Sequence, residues 1–284
     1  ALRLCRPLAQ RARRGAVCPG PRACRLVADR LAEADTPEAA DLILTGAIRD
    51  LEDNRDLLRR CLAARPETRI AVISEEPVWD CLWNGGGGLA GRDRLLQAGD
   101  TALPYRFLNH VNSAIFEFDR IPHALLVADG FAARLAPLIA DFAARVPRAL
   151  LARWRSAPVP AAFVAERREA AAFDRSFPAE GVHGLARHRS RIAALTPGED
   201  VLRLGQGWPG AGLPHHRLPD WHLDKLARLH GRVRVLGAQE NTLCRSYITE
   251  RPFDAFAVGA MPAVIAPSPI TATTRRGWAR AKRK

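Results

Sequence analysis

Short apolar runs alternate with stretches of helical periodicity along this chain, and that alternation most narrows the folds open to it. Ile43 sits at the centre of the first run, Leu42-Ile43-Leu44, within 40–47. Leu51, Leu58, Cys61 and Leu62 then recur at helical spacing until Pro66, and Arg69-Ile70-Ala71-Val72-Ile73-Ser74 is the next apolar run. Strands that are continuously apolar rather than alternating are buried on both faces. Strand, helix and strand in this order predict a parallel α/β sheet. The pattern returns as a helix over 183–195, a strand at 200–204, a helix at 220–230 and a strand at 232–237. Helices are also expected at 22–34 and 132–146. Leu135, Leu138, Ile139, Phe142 and Val146 form the stripe of the second, and Pro137 lies either in its first turn or at a kink. Strand-like pieces are expected within 106–128, including 114–118.

The Pro-rich stretch Ser156-Ala157-Pro158-Val159-Pro160 divides the chain, and Ala161-Ala162-Phe163-Val164-Ala165 starts a new strand. Two domains are therefore expected, over 1–155 and 156–270, with a basic arm at 1–28 and a basic tail at 271–284. The Gly-rich stretch 84–91 has no P-loop lysine and reads as a linker or mobile loop.

Lys and Arg number 43 against 30 Asp and Glu, a formal charge of +13. Such a balance favours anionic partners. Seven arginines precede Asp29 with no acid among them, and the last ten residues carry six cations and Trp278. Two solvated tails would look like this, and so would attachment to an anionic membrane face. No zinc-finger spacing, aromatic-interleaved basic strand pair or RNA motif is present, so nucleic acid is not an expected partner. No apolar run reaches the roughly 18–20 residues that span a bilayer. No secretory signal is evident, although the Arg-rich, acid-poor arm also has the character of a mitochondrial presequence. The six cysteines are scattered with no CxxC pair, which predicts reduced thiols and a cytoplasmic setting, and the basic termini allow a place peripheral to the inner membrane face. His215-His216 lacks further ligands at useful spacing, so no metal is expected.

The segment 239–264 holds the densest chemistry. Val233-Arg234-Val235-Leu236 reads as a strand, 237–248 as the loop at its C-terminal end, and a helix follows with Thr249 as N-cap and Pro252 in its first turn. Ligands of open α/β sheets bind at this strand-to-helix edge. Unpaired amides and the helix dipole favour a diphosphate there, and Arg251 can add a bidentate phosphate contact. Glu250 can accept from a ribose diol, while Asn241 and Tyr247 offer neutral donors. Asp254 lies one turn after Glu250 on the same side. The same pattern also describes an ordinary capped amphipathic helix, with Phe253, Phe256 and Ala257 inward and both acids solvated.

Glu240-Asn241-Thr242, Tyr247-Ile248-Thr249-Glu250-Arg251, Asp254-Ala255-Phe256 and Gly259-Ala260-Met261-Pro262 together resemble the C-terminal signature of the family 10 glycosyltransferases, the α-1,3/1,4-fucosyltransferases. Asp224-Lys225-Leu226 is similar to that family's Asp-Lys entry to the preceding helix. The resemblance implies a GT-B architecture, two Rossmann-like domains facing a cleft. It implies a GDP-sugar donor, GDP-fucose or a relative, held by the C-terminal domain, and a glycan or glycolipid acceptor held by the N-terminal one. It places Asn241, Tyr247, Glu250 and Arg251 at the donor, with Arg251 in place of the usual Lys. It also places an Arg after the first strand of the donor domain, where Arg168 is the assignment and Arg167 the alternative. The general base it implies falls in Ser74-Glu75-Glu76-Pro77, where Glu75 is the assignment and Glu76 the reserve. Asn109-His110 and Asp119-Arg120 occupy the acceptor-side region. The implied activity is inverting transfer of fucose or a related sugar to a hydroxyl, with no metal cofactor required. Family members continue well beyond the Val-Pro strand, whereas this chain ends about twenty residues after Val264. An inactive or truncated relative that binds a sugar nucleotide or a partner without turnover is therefore the alternative.

Overall fold

The computed structural model describes residues 2–5, 31–83, 88–98, 101–117, 131–209 and 221–265. The basic arm beyond residue 5, the basic tail, His215-His216, Asp119-Arg120 and residues 84–87 of the Gly-rich loop lie outside them, whereas the start of the arm, Leu2–Cys5, is a strand paired within a sheet and not a solvated tail. The chain forms an α/β fold in two compact units. One is Ala1–Asp129 with Cys244–Tyr247, and the other is Gly130–Leu243 with Ile248–Lys284.

The first unit is built on a six-stranded sheet of order β2-β1-β3-β4-β6-β5. Its strands are β1 (Leu2–Cys5), β2 (Leu31–Glu33), β3 (Leu42–Thr45), β4 (Arg69–Ile73), β5 (Asp93–Ala98) and β6 (Thr101–Leu108). Pairing is parallel except where β5 folds back on β6. Ile70, Ala71 and Val72 are all buried, as a strand covered on both faces requires. The periodic stretch after β3 forms two helices, α1 (Ile48–Asp53) and α2 (Arg55–Ala64), separated at Asn54. The buried Asp80 carboxylate accepts the Ile48 N–H at the start of α1, 3.3 Å to each oxygen. Leu51, Leu58 and Cys61 turn inward, each Leu contributing about 1.5–3 kcal/mol by burial. A short helix, α3 (Trp79–Trp83), follows the acidic turn after β4.

Two expectations for this unit are corrected. Leu31–Glu33, expected at the end of a helix, is a strand paired in parallel with β1. Ala114–Phe116, expected as strand, is a 3-10 turn whose Ser113 side chain accepts the Ile115 N–H.

The second unit opens with α4 (Phe131–Ala144) and α5 (Pro147–Ser156). Both lie ahead of or within the Pro-rich joint, so this unit begins earlier in sequence than position 156. The physical reason is aromatic packing, because the Phe142 ring lies 5.7 Å from Phe256 and 6.4 Å from Trp154. Leu135 and Phe142 are buried as the stripe predicts, but Val146 is 64% exposed because the helix ends before it. Pro137 sits inside α4.

A four-stranded, wholly parallel sheet follows, of order β10-β7-β11-β13. It comprises β7 (Val159–Val164), β10 (Leu202–Leu204), β11 (Val233–Gly237) and β13 (Met261–Ala263). Helices α6 (Ala186–Leu195), α7 (Trp221–Leu229) and α8 (Arg251–Ala257) lie between these strands in sequence. A small antiparallel sheet joins β8 (Ser176–Phe177), β9 (Val182–Gly184) and β12 (Thr242–Leu243). Among the described residues β13 is the outer strand of the parallel sheet. The Ala238 N–H donates to the Ala263 carbonyl at 2.9 Å, so Met261 and Ala263 point their polar groups at β11 while Pro262 points its backbone outward.

Candidate functional site

The order β10-β7-β11-β13 creates one special place in the second unit. The chain leaves β7 for β10 on one side and returns to β11 on the other, so the crossovers diverge between β7 and β11. Ligands of open parallel sheets bind outside the strand C-termini at such a switch point. A shallow, open crevice lies there, with enclosed room for about one water molecule. Its walls include Val164 and Ala165 after β7, Gly237 and Gln239 after β11, Arg189 of α6 and Arg251 of α8.

Local sequence explains the opening. At Gly237 an added Cβ would stand 2.5 Å from Phe163 Cδ1 and 3.0 Å from Gln239 Oε1. At Gly205, which follows β10 with φ +128°, it would stand 2.6 Å from the Ala165 carbonyl oxygen. Only glycine allows such close approach of neighbouring strand ends. Trp208, on the same loop, lines the crevice and donates from Nε1 to the Ala165 carbonyl at 2.9 Å. The Arg167 guanidinium lies 5.0 Å from the Trp208 ring centroid.

Arg251 opens α8 and its side chain is held on two sides. One terminal nitrogen donates to the Val164 carbonyl at 3.0 Å, and Nε lies 3.9 Å from Glu240 Oε2. Glu240 is only 3% exposed. Its Oε1 accepts the Thr249 N–H at 2.8 Å, and its Oε2 accepts the Thr249 hydroxyl at 2.7 Å. Loss of hydration pushes its carboxyl up to about 7, against the opposing pull of Arg251 and the Thr249 bonds. Thr249 was expected to cap α8. Glu250, the residue before α8, already has helical geometry and makes no side-chain capping bond, while the Thr249 hydroxyl donates to Glu240 and accepts the Arg251 N–H at 3.5 Å, a long version of the expected capping contact. As α8 spans only seven residues, the attraction for an anion lies in the arginine side chains more than in a helix dipole.

The other expected site residues are placed as follows. Arg168 pairs with Glu166 and lies 4.5 Å above the Phe173 ring, and its N–H donates to Ser190 Oγ at 2.8 Å. The alternative, Arg167, pairs with Glu169 at 2.6 Å. Asn241 is half-buried, and its carbonyl accepts the Leu185 N–H at 2.6 Å. Glu250 is half-buried beside Arg251. Of the expected donor residues, Arg251 lines the crevice. Tyr247 belongs with the first unit, 5% exposed, its ring edge-on to His110 at 5.0 Å. Glu75 and Glu76 are exposed in the turn after β4, where the Glu76 N–H donates to Ser74 Oγ at 3.3 Å.

Asp254 departs from expectation. It is not a solvated acid beside Glu250 but 1% exposed. His222 Nε2 donates to it at 2.7 Å, and the Lys225 ammonium of α7 donates to its other oxygen. An Arg134 nitrogen lies 3.1 Å from His222 Nδ1. Since arginine only donates, Nδ1 accepts, which leaves the hydrogen on Nε2 facing Asp254. The Asp-Lys stretch and the Asp-Ala-Phe stretch are thus partners in one buried ionic cluster.

Arg189, Trp208 and Glu240 were not singled out as site residues. The readable signal was Gly205-Gln206-Gly207, a glycine pair directly after a parallel strand. Among the described residues no group of three or more His, Cys, Asp or Glu could hold a metal ion, and no helix is long and apolar enough to cross a membrane. Cys81 and Cys244 are buried free thiols, and Cys61 is buried. No model of a known protein family, no curated protein and no solved structure matches the chain.

Proposed function

We propose that the chain is an inverting glycosyltransferase of GT-B architecture. It would move fucose or a related sugar from a GDP-sugar to a hydroxyl of a glycan or glycolipid. The observation that carries this reading is the crevice at the β7/β11 switch point with Arg251 in its wall. A parallel sheet, strand ends kept open by Gly205 and Gly237, and an arginine held by a backbone carbonyl suit a diphosphate. The resemblance of 240–262 to the fucosyltransferase signature supplies the donor class. In this reading Arg251 neutralises the diphosphate as it departs, and Arg168, Asn241 and Glu250 of the same unit are the further donor residues that the resemblance implies. Glu75, exposed at the C-terminal end of its strand, takes the proton of the acceptor hydroxyl as the sugar carbon is attacked. The nucleotide leaves as the free diphosphate. Cationic side chains supply the charge stabilisation, so the scheme calls for no metal.

A second reading, nucleotide binding without turnover, is favoured by one fact: every residue lining the crevice belongs to the second unit. Calorimetric titration with a panel of nucleotides separates the two. GDP is expected to bind, and Arg251→Ala to weaken it by roughly 10–100-fold, the worth of one charge-assisted contact. Release of GDP from GDP-fucose that is lost in Glu75→Gln supports the enzyme, whereas binding without release supports the second reading. Preference for another nucleotide, or no nucleotide affinity, overturns the donor assignment.

A further inference from the structure

We propose that Glu240 is a proton-accepting partner of Arg251, so that an anion entering the crevice is accompanied by uptake of one proton on this buried carboxylate. The inference rests on the anion-site reading of the crevice and adds to it how occupancy depends on pH.

The geometry places one guanidinium between a carboxylate and a ligand position. Arg251 Nε is 3.9 Å from Glu240 Oε2, another of its nitrogens is bonded to the Val164 carbonyl, and the side chain lines the crevice. With Glu240 ionised, the charge of Arg251 is already partly neutralised, and an arriving phosphate adds a second anion to the same cation. Repulsion between two anions around a dehydrated site is relieved most simply by protonating one of them. The surrounding charged groups are few. Arg251 comes from α8, Glu250 from the turn before it, and Arg189 of α6 lines the crevice. Glu250 pushes Glu240 in the same direction as burial does.

The hydrogen bonds accommodate both protonation states without rearrangement. The Thr249 N–H donates to Oε1 whether the group is ionised or not. The Thr249 hydroxyl donates to an ionised Oε2, and by rotating it accepts from a protonated one. An acid bonded only to fixed N–H donors would lack that second arrangement. The resting carboxyl, already pushed up to about 7 by burial, needs only a modest further shift. The proton comes from solvent and no covalent step is involved.

The test is calorimetric titration of the full chain with GDP, and separately with pyrophosphate, at pH 7.5 in buffers of different ionisation enthalpy. The reference is Glu240→Gln, so that protons gained or lost by the ligand cancel in the comparison. Wild type is expected to take up roughly half to three-quarters of a proton more per anion bound than the variant, because a carboxyl at about 7 is already partly protonated at this pH. Its affinity should fall relative to the variant's by up to about tenfold per pH unit above neutrality. A carbon-13 titration of the Glu240 carboxyl in wild type, with and without pyrophosphate, needs no variant and should show its midpoint rise with the anion. Equal proton uptake in the two proteins, or an unmoved midpoint, overturns the proposal while leaving the anion site standing. Pyrophosphate binding with extra uptake but no affinity for GDP upholds Glu240 and removes the nucleotide. Absence of binding by either anion removes both.

Discussion

Two regions of the second unit bury a carboxylate almost completely, and they treat it in opposite ways. Asp254 is 1% exposed and touches both Lys225 and His222. Glu240 is 3% exposed and is bonded by Thr249, with its nearest cation 3.9 Å away. Burial disfavours charge at both, yet the partners outweigh it at Asp254, whose carboxyl lies below its ordinary value. At Glu240 burial wins. A charge compensated by direct contact ties helices together, whereas one compensated at a distance keeps its proton negotiable. The first arrangement suits a scaffold and the second suits the wall of a binding site.

The largest effect should come from the scaffold. Asp254→Ala strands Lys225 in the interior and is expected to cost about 3–5 kcal/mol, read from urea unfolding near neutral pH. A loss under about 1 kcal/mol would erase the contrast. The pH dependence sharpens it. With a folded value below the ordinary 3.8, Asp254 stabilises fully above that range and loses its contribution as pH falls below it. Glu240 has the opposite sign. Between its ordinary 4.5 and about 7 the folded chain keeps a proton that the unfolded chain has shed, so stability falls as pH rises through this window. Glu240→Gln should therefore be the more stable protein at pH 8, by about 3 kcal/mol, with the gap closing toward pH 4.5. A gap that stays constant with pH would show that Glu240 does not titrate there.

Gly237→Ala probes the crevice sterically, since the new methyl meets Phe163 at 2.5 Å. A cost of about 1–2 kcal/mol is expected from forced repacking, and thermal unfolding with and without pyrophosphate would show whether the opening narrows as well. The smallest effect belongs to a solvated pair on the β5–β6 hairpin, Arg106 and Asp93, 3.1 Å apart with both side chains more than half exposed. Arg106→Ala should change stability by less than about 0.5 kcal/mol, which calibrates how much of the buried effects is due to burial.

Strands β3, β4, β7 and β11 were legible because each carries a short apolar run, interrupted in β11 only by Arg234, whose side chain turns to the Trp154 carbonyl. The β5–β6 hairpin was not, although 102–107 carries a period of two: Leu103, Tyr105 and Phe107 are buried while Ala102, Pro104 and Arg106 are exposed. Pro104 interrupts that pattern for a reader expecting central strands. β8, β9 and β12 have only two or three residues each, too few for any periodicity to register. Helix spacing placed Asp254 beside Glu250, but its partner Lys225 lies 29 residues earlier, a separation that local pattern does not reveal. Arg251 was legible from its neighbours in the motif. Arg189 and Trp208 reach the crevice from other crossovers, and only the strand order shows that they converge.

Pro262 has a consequence for how the protein behaves in company. Its backbone faces away from β11, and a proline has no amide hydrogen to present on that side. An extended segment approaching the rim of the sheet would meet a missing rung where it needs a donor. The border is thus blunted by the absence of one atom rather than by a charge, which discourages another chain from continuing the sheet.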